Sequence, residues 1–378
     1  MMTKWIIIAG EYPPQFGGVS DYTYLLARGL NARGDEVHVF APSCAQGKDA
    51  DLDGIFVHRL KNKFGLRAVV ELNSAVEQIE KPYRILVQYV PHSYGWRAMN
   101  LPFCLWLYSR FHRQLEVMFH EVAVGIRSGQ PLRHNIIGAV HRVMATLICS
   151  AAKDVYVATP AWSQILKVPT TWLPVPSNIE TDVDREEIIS ARARYVATST
   201  AQDAVLIGHF GTYRRGVKKL LFDTLPQVLK NDKQRMGLLI GRGSEPVRDE
   251  LLRLYPGLNG RVVATGGQPS RSVATALSAC DVLLQPYPSG ISCNRGSAMA
   301  GLALGCAIVS NAGEFTEPVW QTSGAVKMAA STDAAKIINA MEEVLASTDN
   351  VERLRRQSAD LYSSRFAIKC TIDVLCPH

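Results

Sequence analysis

The sequence predicts an α/β protein made of two doubly wound domains that face a central cleft. Two observations carry this reading. At 378 residues the chain is too long for one ordinary core. Apolar strand-like runs also alternate with helical periodicity twice over, on either side of one Pro/Ser/Asn-rich linker, VPSNIE at 175–180. The expected partition is therefore a first domain at 1–176, a second at 177–355, and a C-terminal tail at 356–378.

The first run opens with WIIIA at 5–9, a buried-type strand, followed by the loop EYPPQFGGVS. Val19, Tyr22, Leu26 and Leu30 then fall at helical spacing, closed by Gly34 before a strand at 36–40. Ser20 or Asp21 can cap that helix, which leaves Gly17 and Gly18 just ahead of its N-terminus as an anion site. Further strands are expected at 84–90 and 115–122, with an aromatic, basic loop and amphipathic helix between them. A helix at 132–151, a strand at 154–158 and a short strand TTWLP complete the run.

The second run begins with a polar helix at 185–197. Strands follow at 204–210, 236–240, 261–264, 281–285, 306–310 and about 325–328. Helices are expected at 217–230, 246–254, 271–279, 297–304, 333–346 and 351–366.

Composition narrows the function classes. The chain is 47% apolar and 20% charged, with no repeat or low-complexity tract, as in a soluble globular protein. A net charge of +7 suits an anionic substrate, a membrane surface or an unremarkably basic enzyme, and no Lys/Arg block points to nucleic acid. The eight cysteines are scattered without a CxxC pair, which argues against zinc or disulfide frameworks and for a reducing cytosol. WIIIAG is too short for a signal-peptide core and no stretch reaches membrane-spanning length, so a cytoplasmic location is expected.

Chemistry concentrates in Gly-containing loops that follow predicted strands: Gly17-Gly18, 211–216, 241–243 and 289–296. The last three carry Arg214, Arg215, Arg242 and Arg295. Guanidinium forks and free loop amides match phosphate oxygens, so this set predicts a phosphorylated ligand. The stretch PYPSGISCNRGSAMAGLALGCAIVSNAGEF (286–315) is the densest case, although a tight strand–helix connection would read the same way in isolation. Neither GxGxxG nor GxxxxGK[ST] occurs, which disfavours an ordinary dinucleotide enzyme or a P-loop ATPase. Asp51-Leu52-Asp53 has DxD form but reads as a solvated acidic turn. His120 ends a strand, where it could donate to substrate, act as a base, or be satisfied locally, and His92 is similar. Trp96, Phe103, Trp106 and Tyr108 fit either core packing or an interfacial surface.

Several segments, in order, resemble one family. EYPPQFGGVSDYTYLLARGLNARGDEVHVFAP is similar to the N-terminal signature of the retaining family-4 glycosyltransferases. VPVPSNI, IGRGSE and ALGCAIVSNAG resemble later segments of the same family. The resemblance implies the GT-B fold, with two Rossmann-like domains. By it, the first domain binds an acceptor, the second binds a UDP- or GDP-linked sugar, and the last helix braces back onto the first.

It further implies that Gly17 and Gly18 approach the donor phosphate and sugar, that His120 lies near the transferred sugar, and that Arg215 serves the diphosphate. Gly241 and Gly243 would border the nucleoside, with Gly267 near the base. Gly211, Arg214, Ser292, Arg295, Gly296 and Ser297 would complete the donor cradle. His120, Arg215 and Arg295 are the expected catalytic groups, without a metal or other cofactor, because the leaving phosphate can itself take the acceptor's proton.

The family's E-x7-E glutamates are replaced here by Ser292 and Ala300. The loop GISCNRGS looks like a variant found in some bacterial members. The expected acceptor is a carbohydrate, a lipid-linked precursor or a small molecule, reached at the inner membrane face in polysaccharide synthesis. Two other readings stand beside this one: a non-catalytic scaffold, suggested by the missing glutamates, and a nucleotide-sugar epimerase.

Overall fold

A computed structural model describes residues 2–44, 53–61, 63–197 and 203–377. The chain forms two compact units, Met1–Val175 with Thr371–His378, and Pro176–Cys370.

Unit 1 contains β1 (Lys4–Ala9), α1 (Gly18–Ala32), β2 (Glu36–Pro42), β3 (Phe56–Leu60), α2 (Leu66–Glu77), β4 (Tyr83–Tyr89), α3 (Leu101–Phe111), β5 (Leu115–Phe119), α4 (Leu132–Ala151), β6 (Ala152–Val157), α5 (Ala161–Leu166) and β7 (Thr171–Trp172). Among the described residues its seven strands are all parallel, in the order β3-β2-β1-β4-β5-β6-β7. β1 lies at the centre, with Ile7 paired to Val39 on one side and Leu86 on the other. Trp5 through Ala9 are fully buried, the expected fate of a near-continuous apolar run covered on both faces.

At the amino end of this sheet, the Arg84 guanidinium grips the buried Glu116 carboxylate with two 2.6 Å bonds and lies 4.1 Å from the centre of the Trp5 ring. Its remaining Nη1 donates to the Leu375 carbonyl at 2.5 Å. Burial still pushes the Glu116 carboxyl upward, against the pull of Arg84.

Unit 2 contains α6 (Arg185–Val196), β8 (Val205–Phe210), α7 (Arg215–Asn231), β9 (Arg235–Ile240), α8 (Ser244–Leu254), β10 (Val262–Ala264), α9 (Ser270–Ser278), β11 (Val282–Gln285), α10 (Gly296–Ala303), β12 (Ala307–Asn311), α11 (Pro318–Thr322), β13 (Lys327–Ala329), α12 (Ala334–Leu345) and α13 (Thr348–Leu361). Its parallel strands run β10-β9-β8-β11-β12-β13. The order grows outward from β8 in one direction and then reverses to β11 on its other side. The loops after β8 and β11 therefore diverge at the carboxyl edge and leave a crevice.

Several elements differ from expectation. β3 and α2 were not anticipated. The predicted helix 351–366 is α13 followed by a wider turn over Tyr362–Phe366, where Phe366 stacks on Trp320 at 5.6 Å. The expected tail 356–378 is shared: it stays with unit 2 through Cys370, across the start of α14 (Ile368–Leu375), and joins unit 1 from Thr371.

Candidate functional site

The crevice of unit 2 holds a cavity of ≈ 470 Å³ at the carboxyl ends of β8, β9 and β11. Three loops build it. After β8 come Gly211, Thr212, Tyr213 and Arg214, with Arg214 as the N-cap of α7. After β9 come Gly241 and Arg242, and after β11 come Tyr287 and 294–297.

Gly241 has φ +106, and a Cβ there would lie 2.8 Å from the Gly211 carbonyl, so this loop closes on its neighbour only as glycine. The Gly241 amide donates to Thr265 Oγ1 at 3.2 Å, and the Gly266 amide to Ser244 Oγ at 2.9 Å. These bonds tie the loop after β9 to the one after β10.

The loop after β11 is held from beneath by residues about twenty positions downstream. Asn311 takes the Tyr287 amide on Oδ1 at 2.8 Å and returns Nδ2 to the Tyr287 carbonyl at 2.9 Å. The buried Glu317 carboxylate accepts from the Cys293 amide at 3.1 Å and from Trp320 Nε1 at 2.9 Å. Gly290, at φ +81, lets the loop touch the next one backbone to backbone, since a Cβ there would sit 2.3 Å from the Gly313 nitrogen.

So fixed, the loop delivers Arg295 to the N-cap of α10. The Arg295 guanidinium lies 4.9 Å from the Tyr287 ring centre, and its Nε is buried without a hydrogen-bond partner. The Tyr287 hydroxyl meets Ser297 Oγ at 2.8 Å, and burial pushes that phenol up to about 12. The first amides of α10 have no carbonyl within the helix to receive them and carry its positive end. Cations and aimed amides in one crevice make a cradle for an anion bearing several oxygens.

Two further polar groups line this cavity that the sequence did not signal. His209, 1% exposed, donates from Nδ1 to the Leu284 carbonyl at 2.8 Å, and burial lowers its imidazole to about 4. Its Nε2 is buried without a partner. Asn178, from the linker, also lines the cavity.

The remaining expected donor residues are distributed around this centre. Gly211, Arg214, Gly241, Arg295, Gly296 and Ser297 line the cavity. Arg215, in the first turn of α7, does not line the cavity, whereas its neighbour Arg214, equally exposed, does. Ser292 is buried behind the loop, with its carbonyl accepting from the Arg295 amide at 3.0 Å. Gly243 is the N-cap of α8, and Gly267 lies against Arg242.

The crevice of unit 1 is built differently. The N-terminus of α1, expected to be capped by Ser20 or Asp21 and open to an anion at Gly17-Gly18, instead receives the carboxylate of Glu11. Its Oε1 accepts from the Val19 amide at 3.1 Å and the Ser20 amide at 3.2 Å. Those amides are thus satisfied by the chain's own anion.

His120 follows β5, is buried, and places Nε2 2.7 Å from Gln88 Oε1, with the Tyr22 ring edge-on at 4.8 Å. Burial holds its imidazole down at about 3, so at neutral pH it is uncharged. His92 and Glu121 approach at 3.5 Å on the surface.

The aromatic set divides. Phe103 is fully buried and Trp106 packs against the core, whereas Trp96 and Tyr108 are exposed. Of the DxD reading, Asp51 and Leu52 lie outside the described residues. Asp53 accepts from the Tyr24 hydroxyl at 2.8 Å and pairs with Arg28 at 3.3 Å. Among the described residues no helix is long and apolar enough to cross a membrane.

The architecture is the GT-B fold of glycosyltransferases, two parallel-sheet α/β units. Residues 201–347 match the family model described as glycosyl transferases group 1, which covers the cavity-forming loops of unit 2. A search of curated proteins gives no significant match.

Among solved structures, the chain is similar to a sucrose-phosphate synthase from Thermosynechococcus elongatus. Identity is 19% and the TM-score 0.69, over 99% of this chain and 98% of that one. It is also similar to HepE from Anabaena in complex with UDP, at 15% identity and a TM-score of 0.70 over 99% of each. A trehalose-phosphate synthase from Burkholderia xenovorans matches at 11% identity and 0.62, over 99% and 98%.

Proposed function

We propose that the protein is a glycosyltransferase that moves a sugar from a nucleoside-diphosphate donor to an acceptor hydroxyl, with retention of configuration. The observation that carries this reading is the unit 2 cavity, where Arg295 Nε is buried and unpaired beside the N-terminus of α10. A buried donor without a partner is uncommon in folded proteins and marks a place where a ligand supplies the acceptor.

In this reading the diphosphate lies over Gly296 and Ser297, gripped by Arg295 and Arg214. The nucleoside extends toward Gly241, Gly243 and Gly267. As the glycosidic bond breaks, charge develops on the leaving phosphate, and cations already aimed at it lower the barrier without a metal. Arg215 would add a longer-range cation, and His120, being neutral, would serve by hydrogen bonding. The solved complexes of HepE with UDP and UDP-glucose favour a uridine donor. Unit 1 would bind the acceptor, a carbohydrate or lipid-linked precursor of a polysaccharide, at the cytoplasmic membrane face.

A second reading, a donor-binding scaffold without turnover, is favoured by Ser292 and Ala300 standing where carboxylates are expected. Calorimetry with UDP and GDP, followed by assay of hydrolysis and transfer with labelled donor sugars, separates the two. Binding with turnover supports the enzyme, binding alone supports the scaffold, and no binding overturns both.

A further inference from the structure

We infer that His209 is a specificity residue of the unit 2 cavity, its Nε2 accepting a hydrogen bond from a ligand hydroxyl while the arginines hold the phosphates. This rests on the nucleotide-sugar reading above. Several independent features of the site lead to it.

His209 sits near the carboxyl end of β8 and lines the cavity at the point where the strand order reverses. Its Nδ1 lies 2.8 Å from the Leu284 carbonyl, and a carbonyl can only accept. The proton is therefore on Nδ1, and Nε2 presents a lone pair. That lone pair is buried and has no partner. The neighbouring Tyr213, 5.2 Å away ring to ring, does not supply one, because its hydroxyl is directed to the His209 and Ile240 carbonyls at 3.2 and 3.0 Å.

The chemistry of the cavity then selects the partner. Arg214, Arg242, Arg295 and the α10 amides all donate, which suits phosphate oxygens. A diphosphate oxygen at neutral pH carries no proton to give to Nε2. Protonating the ring instead is opposed by burial, which lowers its imidazole to about 4. A neutral acceptor in this cavity therefore asks for a neutral donor, and a hydroxyl of the ribose or of the transferred sugar supplies one.

The test uses His209→Asn in the full chain, since the Asn amide can still donate to the Leu284 carbonyl while the Nε2 position is lost. Dissociation constants are measured by calorimetry for inorganic pyrophosphate, for UDP and GDP with their 2′-deoxy and 3′-deoxy forms, and for UDP-glucose and GDP-mannose. Pyrophosphate affinity is expected to stay within about twofold of wild type, while the hydroxyl-bearing ligand weakens by about tenfold. A loss seen with UDP or GDP but not with a deoxy form identifies the ribose. A loss confined to the nucleotide sugars identifies the sugar.

His209→Gln, which restores an acceptor farther along the side chain, is expected to recover part of the affinity, a result that general loosening of the site would not produce. Equal weakening of pyrophosphate, or no change with any ligand that wild type binds, overturns the role of His209 alone. Failure of the wild-type protein to bind any of the ligands overturns the nucleotide-sugar reading and this inference with it.

Discussion

Each sheet reverses its strand order at a crevice, between β1 and β4 in unit 1 and between β8 and β11 in unit 2, yet the two crevices differ in the charge that meets their helix ends. In unit 1 the first helix is met by the carboxylate of Glu11, and the nearby histidine is paired with Gln88 Oε1, while Gln88 Nε2 is buried without a partner. In unit 2 the helix ends face an open cavity carrying Arg214, Arg242 and Arg295, with one arginine N–H and one histidine lone pair left buried and unpaired. The same topology thus yields one anion site already filled from within and one that is open. The difference lies in the side chains at the strand ends and on the loops rather than in the strand order.

The largest expected effect comes from closing the approach that shapes the open crevice. Gly290→Ala places a methyl 2.3 Å from the Gly313 nitrogen at a positive φ, against backbone that has no side chain to move. Urea unfolding of unit 2 is expected to show a loss of about 3 kcal/mol, accompanied by loss of nucleoside-diphosphate binding. Unchanged stability would mean that the two loops are not in fixed contact.

Next in size is the cation set. Arg295→Ala is expected to weaken nucleoside-diphosphate binding by about thirtyfold, or about 2 kcal/mol, the range of a charge-assisted hydrogen bond. Arg214→Ala should cost about tenfold. Arg215→Ala should change binding by under about threefold, because it does not line the cavity. Calorimetry on the three variants ranks them, and a larger loss at Arg215 than at Arg214 would reverse the assignment made from the cavity lining.

Much of the fold behind this contrast is legible in the sequence. Runs such as WIIIA and RMGLLI are so uniformly apolar that only strands buried on both faces suit them, and glycines and arginines in loops act locally. β3 escaped because an edge strand is half-solvated: Phe56 is exposed and His58 and Arg59 are half-buried, so no apolar run marks it. α2 escaped because Leu66 and Val70 face solvent and blur its buried stripe of Ala68, Val69, Leu72 and Val76.

The chemistry that was missed depends on contacts distant along the chain. His209 reads as one residue in a buried strand until Leu284, 75 positions on, claims Nδ1. Glu11 reads as a loop carboxylate until the loop folds back onto the amides of Val19 and Ser20. Arg295 was legible, but the Glu317 carboxylate that fixes its loop through Cys293 was not.

Two of the buried histidines, one in each unit, provide a test that both crevices share. His120 and His209 are held neutral by burial, at about 3 and about 4, against about 6.5 in the unfolded chain. Because the unfolded state binds the extra proton, their contribution is fully present above about pH 6.5 and is lost as the pH falls toward the folded values. Between pH 6.5 and 5.5 His120 and His209 should each cost their unit about 1 kcal/mol. Denaturation curves at the two pH values check this, and His120→Gln should reduce the dependence of unit 1, where buried His141 is also held down, while leaving that of unit 2. An equal slope in the variant would show that His120 is not the titrating group.

The smallest expected effect tests the origin of the contrast most directly. Glu11→Gln keeps an oxygen in reach of the Val19 and Ser20 amides and removes only the charge facing the positive end of α1. A loss of about 0.5–1 kcal/mol in unit 1 is expected, the size of a charge placed at a helix N-terminus, and it should shrink in high salt. Glu11→Ala goes further by freeing both amides, and it should cost about 1–2 kcal/mol, comparable to the loss of an N-cap. Inorganic phosphate should then recover part of that stability, since a vacated helix N-terminus accepts an anion. If phosphate recovers nothing, the carboxylate is a structural brace and the two crevices differ in shape as well as in charge. If phosphate does recover stability, a single side chain separates a closed crevice from an anion site within one shared topology.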